Sequence, residues 1–233
     1  MIFLTGDTHS NEMGEMRRFT SRNFPQGKEL TKNDYVIILG DFGFIWKQEG
    51  FSKQELHWMK WINNKSWTTL FLDGNHENFD RLLSDEFPVK DMFNNQVKEV
   101  MSSIFYLQRG RCYEIENFKF FVMGGGISID KEYRMPHVGW WPQEEPTFSE
   151  WNFALENARK VRSVDYILTH EVPNSVYKEL DYYPKLPNSV SDGVTALTEV
   201  LSYKKGFSGH HHFDHFFEKQ KWQILYNKII QIS

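Results

Sequence analysis

The sequence of 233 residues holds a single cysteine, Cys112. One thiol cannot close an intramolecular bridge, so the chain is no disulfide-stapled scaffold, and its cysteine usage fits a reducing compartment. Long hydrophobic runs are missing too. No stretch approaches the ~18 uninterrupted apolar residues of a membrane span. The start, Met1-Ile2-Phe3-Leu4-Thr5-Gly6-Asp7, lacks the basic segment and apolar core of a secretory signal. Positive charge is not in excess: 27 Lys and Arg against 31 Asp and Glu leave a net charge of −4. That balance argues against a general nucleic-acid coat or a polybasic membrane binder, leaving only a local basic groove as a route to nucleic acid. No repeat, low-complexity tract or Ser/Pro/Gly-rich linker divides the chain. The expectation is a soluble, cytoplasmic protein of one domain over residues 1–233, with a loop excursion near 127–146 that holds Arg134, Trp140 and Trp141.

What the sequence does have is short apolar runs, each ending in a polar turn. Residues 2–4 run into Thr5-Gly6-Asp7-Thr8-His9, 35–39 into Gly40-Asp41-Phe42-Gly43, and 68–72 into Asp73-Gly74-Asn75-His76-Glu77. Residues 166–168 run into Thr169-His170-Glu171, and 207–208 into Gly209-His210-His211-His212. Runs of this length without two-residue alternation predict strands buried on both faces of a sheet. Between them lie helical patterns at 52–63, with Ser52 as N-cap and Glu55 at the capping-box position, and at 149–161 and 191–203. Runs at 105–107, 112–115 and 118–123 predict further strands, the last two joined by a Glu116-Asn117 hairpin, and 213–218, 222–226 and 229–232 predict antiparallel strands. Strand–helix alternation followed by strand clusters implies an α/β fold of two packed sheets with helices outside.

Ligands bind beyond the carboxyl ends of strands in such sheets, so residues distant in sequence but just past a strand meet at one edge. The set collected this way is Asp7, His9, Asp41, Asn75, His76, His170, His210 and His212. A lone Gly-Asp or Gly-Asn-His is usually a turn, and three consecutive histidines can be a solvated loop; the ordered conjunction, each member after an apolar run, carries the signal. Carboxylate and imidazole donors without thiolate suit manganese, iron or zinc. Seven ligands exceed one tetrahedral site and suit two divalent metal ions with one carboxylate bridging, an arrangement suited to phosphoryl displacement. The i, i+2 spacing of Asp7 with His9 and of His210 with His212 places each pair on one side of an extended backbone, with His211 turned away. Asn75 offers a neutral oxygen to a metal, leaving His76 for proton transfer.

At these motifs the chain resembles the calcineurin-like metallophosphoesterase superfamily, and Gly124-Gly125-Gly126-Ile127-Ser128-Ile129-Asp130, Arg134 and Trp140-Trp141-Pro142 resemble its small bacterial and phage-encoded members. The resemblance implies a four-layer α/β/β/α sandwich of two mixed sheets flanked by helices. It implies that Asp7, His9 and His212 hold one metal, that Asn75, His170 and His210 hold a second, and that Asp41 bridges. It further implies manganese, iron, zinc or nickel as the metals, a metal-bridging hydroxide as nucleophile, and His76 as proton donor to the leaving oxygen of a phosphomono- or phosphodiester.

The match departs from the protein-phosphatase pattern Gly-Asp-x-x-Asp-Arg-Gly, because here the run is Gly40-Asp41-Phe42-Gly43-Phe44-Ile45-Trp46. Phe44 accepts no hydrogen bond, which leaves Asp73 or Glu77 to orient His76 and Arg134 to meet the phosphate. The departure tilts the expected substrate toward a small diester or a nucleotide. Trp140 and Trp141 either stack a nucleobase or pack the excursion on the core. Two other readings compete: an inactive scaffold on the same fold, which retention of all eight residues disfavours, and a nuclease acting on single-stranded nucleic acid, which the charge does not indicate.

Overall fold

The computed structural model describes residues 1–180 and 188–232. Among them the strands are, in chain order, β1 (Ile2–Thr5), β2 (Tyr35–Leu39), β3 (Thr68–Leu72), β4 (Val89–Met92), β5 (Asn95–Met101), β6 (Ile104–Leu107), β7 (Arg111–Ile115), β8 (Phe118–Met123), β9 (Tyr166–Thr169), β10 (Lys205–Ser208), β11 (His215–Phe217), β12 (Trp222–Ile224) and β13 (Ile230–Gln231). The helices are α1 (Lys53–Asn63), α2 (Phe79–Leu82), α3 (Phe148–Val161), α4 (Asn174–Tyr177) and α5 (Ser189–Val200). Two mixed sheets result, one in the order β13-β1-β2-β3-β6-β5-β4 and the other β11-β12-β10-β9-β8-β7.

The absence of two-residue alternation has a direct cause: each central strand buries both faces in different cores. Ile2, Leu4, Ile37, Leu39, Leu70 and Leu72 face the other sheet, where they meet Tyr113, Ile115, Phe120, Val122, Leu168 and Phe207. Their neighbours Phe3, Val36, Ile38 and Phe71 point outward onto Met59 and Ile62 of α1 and Leu82 of α2. On the far side Phe121, Met123, Ile167 and Trp222 meet Ala154 and Ala158 of α3, Val176 of α4, and Val194 and Leu197 of α5. Three cores separate four layers, the expected α/β/β/α sandwich.

Helix α1 carries the predicted capping box, with Ser52 accepting from the Glu55 amide and Glu55 from Ser52. A second box caps α3 through Thr147 and Glu150, so that helix starts one residue ahead of the predicted Ser149, and α5 runs two to three residues N-terminal of its prediction, capped by Asn188. The Glu116-Asn117 turn joins β7 and β8 with Ile115 opposite Phe118. One expectation needs correction, and one element has no sequence signal. The C-terminal strands are not a simple antiparallel set, since β12 runs parallel to β10 and β13 crosses to the other sheet beside β1. The β4–β5 hairpin was not foreseen: its turn residues Phe93 and Asn94 both have positive φ, the conformation of a tight hairpin turn, but no glycine announces them.

Among the described residues no helix is long and apolar enough to cross a membrane. The segment 127–146 lies at the carboxyl end of the sheets and is fastened at Asp80, which accepts from Trp141 Nε1 (2.9 Å) and Gln143 Nε2 (2.8 Å) and pairs with His137 Nδ1 (2.8 Å).

Candidate metal centre

The carboxyl ends of β1, β2, β3, β9 and β10 deliver all eight collected residues to one edge of the sandwich. Tight approach is built into the glycines of these turns. A Cβ on Gly74 would lie 2.1 Å from Asp41 Oδ1, and one on Gly209 would lie 2.2 Å from Asp7 Oδ1, so no side chain fits at either position.

Asp41 sits at the middle, buried, with φ +48°. Its Oδ2 meets His9 Nε2 at 3.0 Å, and its Oδ1 lies 3.3 Å from His170 Nε2 while accepting the His76 amide at 2.7 Å. Asp7, fully buried, has Oδ2 3.2 Å from His212 Nε2, and its Oδ1 accepts the His210 amide at 3.1 Å. His170 Nδ1 is 2.8 Å from the Leu39 carbonyl, which fixes the proton there and turns Nε2 toward Asp41 and toward Asn75 Oδ1 at 3.2 Å. Asn75 donates its own Nδ2 to Ser128 Oγ (3.2 Å), so its oxygen faces the centre. Three groups of ligand atoms, each within 4.8 Å of one another, emerge: Asp7, His9 and His212; His9, Asp41 and His76; and Asp41, His170 and His210.

Electrostatics test whether a cation suits this pocket. Burial pushes His9 and His170 down, yet the Asp41 and Asp7 carboxylates outweigh it and hold the rings up at about 9 and about 10. Asp7 and Asp41 stay below the usual carboxylate range despite burial, because the surrounding histidines stabilise their charge. Protons therefore stand where buried anions demand positive charge, and all the donors are oxygen or nitrogen. Divalent cations replacing those protons fit this donor set.

The extended backbone expected for the i, i+2 pairs is not what these turns adopt. His9, His210 and His212 have φ of +40°, +67° and +55°, left-handed turns and not extended backbone. Nor does His211 face away: its buried side chain pairs with Glu171 at 2.9 Å and lines the same cavity as His210. Glu171, missed by sequence reading although it directly follows His170, is a buried carboxylate 3.7 Å from His210 Nε2 that also accepts from Asn188 Nδ2 (2.8 Å). Its charge is stabilised far below the usual range, burial opposing and His210 and His211 prevailing.

Neither proposed partner orients His76. Asp73 is bound by Arg109 Nε (2.9 Å) and Nη2 (2.7 Å) and by Tyr106 Oη (2.7 Å). Glu77 accepts the Phe42 amide at 2.7 Å, with burial and the charges of Asp41 and Asp73 pushing its pKa well up. The His76 ring instead lies between the edge of His9 (centroids 5.0 Å) and Trp46, stacked at 5.8 Å with 25° between planes. Burial lowers its pKa below 6.5, Asp41 opposing. Arg134 borders His76 and pairs with Asp130 Oδ2 at 2.7 Å. Trp141 takes the packing reading and not the base-stacking one: it is fully buried and edge-on to Trp46 at 4.9 Å, holding the excursion on the core. Trp140 stands outside the cavities around His76, beside the Lys131 ammonium at 5.7 Å.

No curated protein matches the chain. Among solved structures, the crystal structure of a phosphopantetheinyl hydrolase from Mycobacterium tuberculosis aligns over 97% of this chain and 89% of its own, at 12% identity and a TM-score of 0.45. The sequence model of the calcineurin-like phosphoesterases matches residues 1–214, a span that contains every residue gathered at this edge. On that match the chain belongs to the calcineurin-like phosphoesterase family and is a metal-dependent phosphoesterase.

Proposed function

We propose that the chain hydrolyses a small phosphoester, with a preference for diesters or nucleotides, at a centre of two divalent cations. Asp7, His9 and His212 would hold one cation, Asn75, His170 and His210 the other, with Asp41 shared. The observation that carries this reading is Asp41 itself: one carboxylate oxygen faces His9 and the other faces His170, histidines of two different groups. Two such cations, when bound, lower the pKa of coordinated water and take up charge developing at phosphorus.

The chain's own residues do the rest. His76, anchored through its amide to Asp41, presents its ring at the rim and hands a proton to the departing ester oxygen. Its lowered pKa makes the protonated ring a stronger acid for that task. Arg134, the cation nearest His76 on the excursion, faces the substrate phosphate while Asp130 holds its other side. Glu171 anchors the His210–His211 turn.

Metal analysis after loading with manganese, together with a panel of an aryl monoester, an aryl diester, cyclic nucleotides and single-stranded nucleic acid, tests the reading. The expected result is close to two ions per chain and turnover of at least one ester. Asp41→Asn should lose both metal occupancy and activity, since a neutral amide shared between two cations stabilises them poorly. A chain that takes up no metal would instead be a scaffold on the phosphoesterase fold.

A further inference from the structure

Two cavities meet at His76 and Arg134, the residues common to both linings. The larger, about 540 Å³, contains Asp41, Asn75, His210 and His212, and so holds the phosphate on the reading above. The other, about 440 Å³, lies past His76 and is walled by His9, Ser10, Gly43, Trp46, Ser52 and Gln54. Both volumes fall in the ~300–1,000 Å³ range of small-molecule sites. We propose that the cavity past His76 is the leaving-group subsite, and that its Trp46 wall selects a flat aromatic group, a nucleobase or aryl ring.

The proposal rests on the phosphoesterase reading and follows from the direction of the reaction. In hydrolysis a water oxygen bonds to phosphorus as the ester P–O bond opposite breaks. The bonding pair leaves with the ester oxygen, which takes a proton from His76, and the proton lost by water passes to solvent. The departing group must therefore lie on the His76 side of phosphorus, where this cavity opens.

Trp46 is held in advance as a wall. Its amide donates to Glu55 Oε1 at 2.7 Å and its carbonyl accepts from Asn78 Nδ2 at 3.1 Å. Its ring rests against the fully buried Trp141, which Asp80 fixes through the indole nitrogen. A partly exposed indole so braced gives up little conformational freedom on binding, and aromatic stacking on it is worth a factor of about 5 to 150. The Gln54 amide supplies hydrogen bonds to ring heteroatoms.

The test compares wild type, Trp46→Leu and Trp46→Phe in two assays. The first is kcat/KM with manganese on phenyl methyl phosphate and trifluoroethyl methyl phosphate, each ester referred to its own wild-type rate so that leaving-group acidity cancels. The phenyl ester should lose about 5- to 150-fold more than the trifluoroethyl ester in Trp46→Leu, and Trp46→Phe should recover most of the difference. The second is calorimetric titration of adenosine into the metal-free protein, which needs no turnover; binding should weaken by a similar factor in Trp46→Leu. Equal losses for both esters, or adenosine binding indifferent to Trp46, overturns the subsite. Wild-type protein that hydrolyses neither ester yet binds adenosine through Trp46 overturns the proposed diester preference and the leaving-group role, and leaves only an aromatic-binding cavity at Trp46.

Discussion

Replacing His76 by alanine separates two roles that the geometry superimposes. With His9 and Asp41 it forms a trio able to hold a cation, yet its ring also borders both cavities beside Trp46. As a proton donor its removal costs ~10²- to 10⁴-fold in rate, about 2.7 to 5.4 kcal/mol of barrier at 1.36 kcal/mol per decade. That cost depends on the leaving group. An alkoxide cannot depart without a proton and should show the whole loss, whereas a nitrophenolate leaves as a stable anion and should lose less than about tenfold. A ligand behaves otherwise, since losing it strips a cation and slows every ester alike. The assay is metal content by mass spectrometry of wild type and His76→Ala prepared together, then manganese-supplemented kinetics on an alkyl and a nitrophenyl ester. Because the ring is only partly buried and its hydrogen-bonded anchor to Asp41 is the backbone amide, which alanine keeps, the melting temperature should move little. Metal content falling with the substitution, and both esters slowing by one factor, would refute the proton-donor assignment.

Two further outcomes follow from buried charges outside the centre. Arg109→Ala leaves the fully buried Asp73 carboxylate without its ion pair, a loss of about 3–5 kcal/mol that should lower the melting temperature by roughly 6–20 °C; a shift under about 3 °C would show that the pair is dispensable. Burial lifts the Cys112 thiol to about 11, with Lys119 opposing and Glu114 adding. At pH 8 its thiolate fraction is then about a hundredfold below that of an ordinary thiol, partly offset by higher nucleophilicity, so iodoacetamide should react about tenfold more slowly than with a free thiol and speed up as pH rises toward 11. Alkylation at the rate of a free thiol would refute the shift.

Much of this molecule was legible because strands and site are coupled. A strand buried on both faces reads as an unbroken apolar run, and the residue that follows it lies at the sheet edge, so Asp7, Asp41, Asn75, His170 and His210 could be gathered without knowing the sheet order. What stayed hidden was set by turn conformation and by long-range pairing. Nothing in Gly-His-His-His announces that His210 and His212 take left-handed φ, since only glycine, asparagine and aspartate advertise that region. The Phe93-Asn94 hairpin escaped because Asn94 alone advertises positive φ while Phe93 beside it does not. Glu171 and Asp80 acquire their roles from partners many positions away, Asn188 and Trp141, and no local pattern encodes those meetings.

Phe44 shows how a departure from pattern becomes an alternative arrangement. Where protein phosphatases carry an aspartate, this chain buries a phenyl ring against Phe42 (centroids 4.9 Å), which itself stacks on Phe71 of β3 at 4.3 Å. The loop after β2 is thus fixed by aromatic packing from below and by Glu77 accepting the Phe42 amide, while Trp46, two residues on, places an indole against His76. Among the described residues no carboxylate hydrogen-bonds the His76 ring. Its orientation comes from the stacked contact with Trp46 and the edge of His9, and burial lowers its pKa against the opposing charge of Asp41. On the proposed reading the protonated ring would serve poor leaving groups, and the indole stacked on it would also be the wall the leaving group meets. If His76 is the proton donor and the cavity past it takes the leaving group, both depend on the position of Trp46, which is why substitution there should alter leaving-group preference as well as rate.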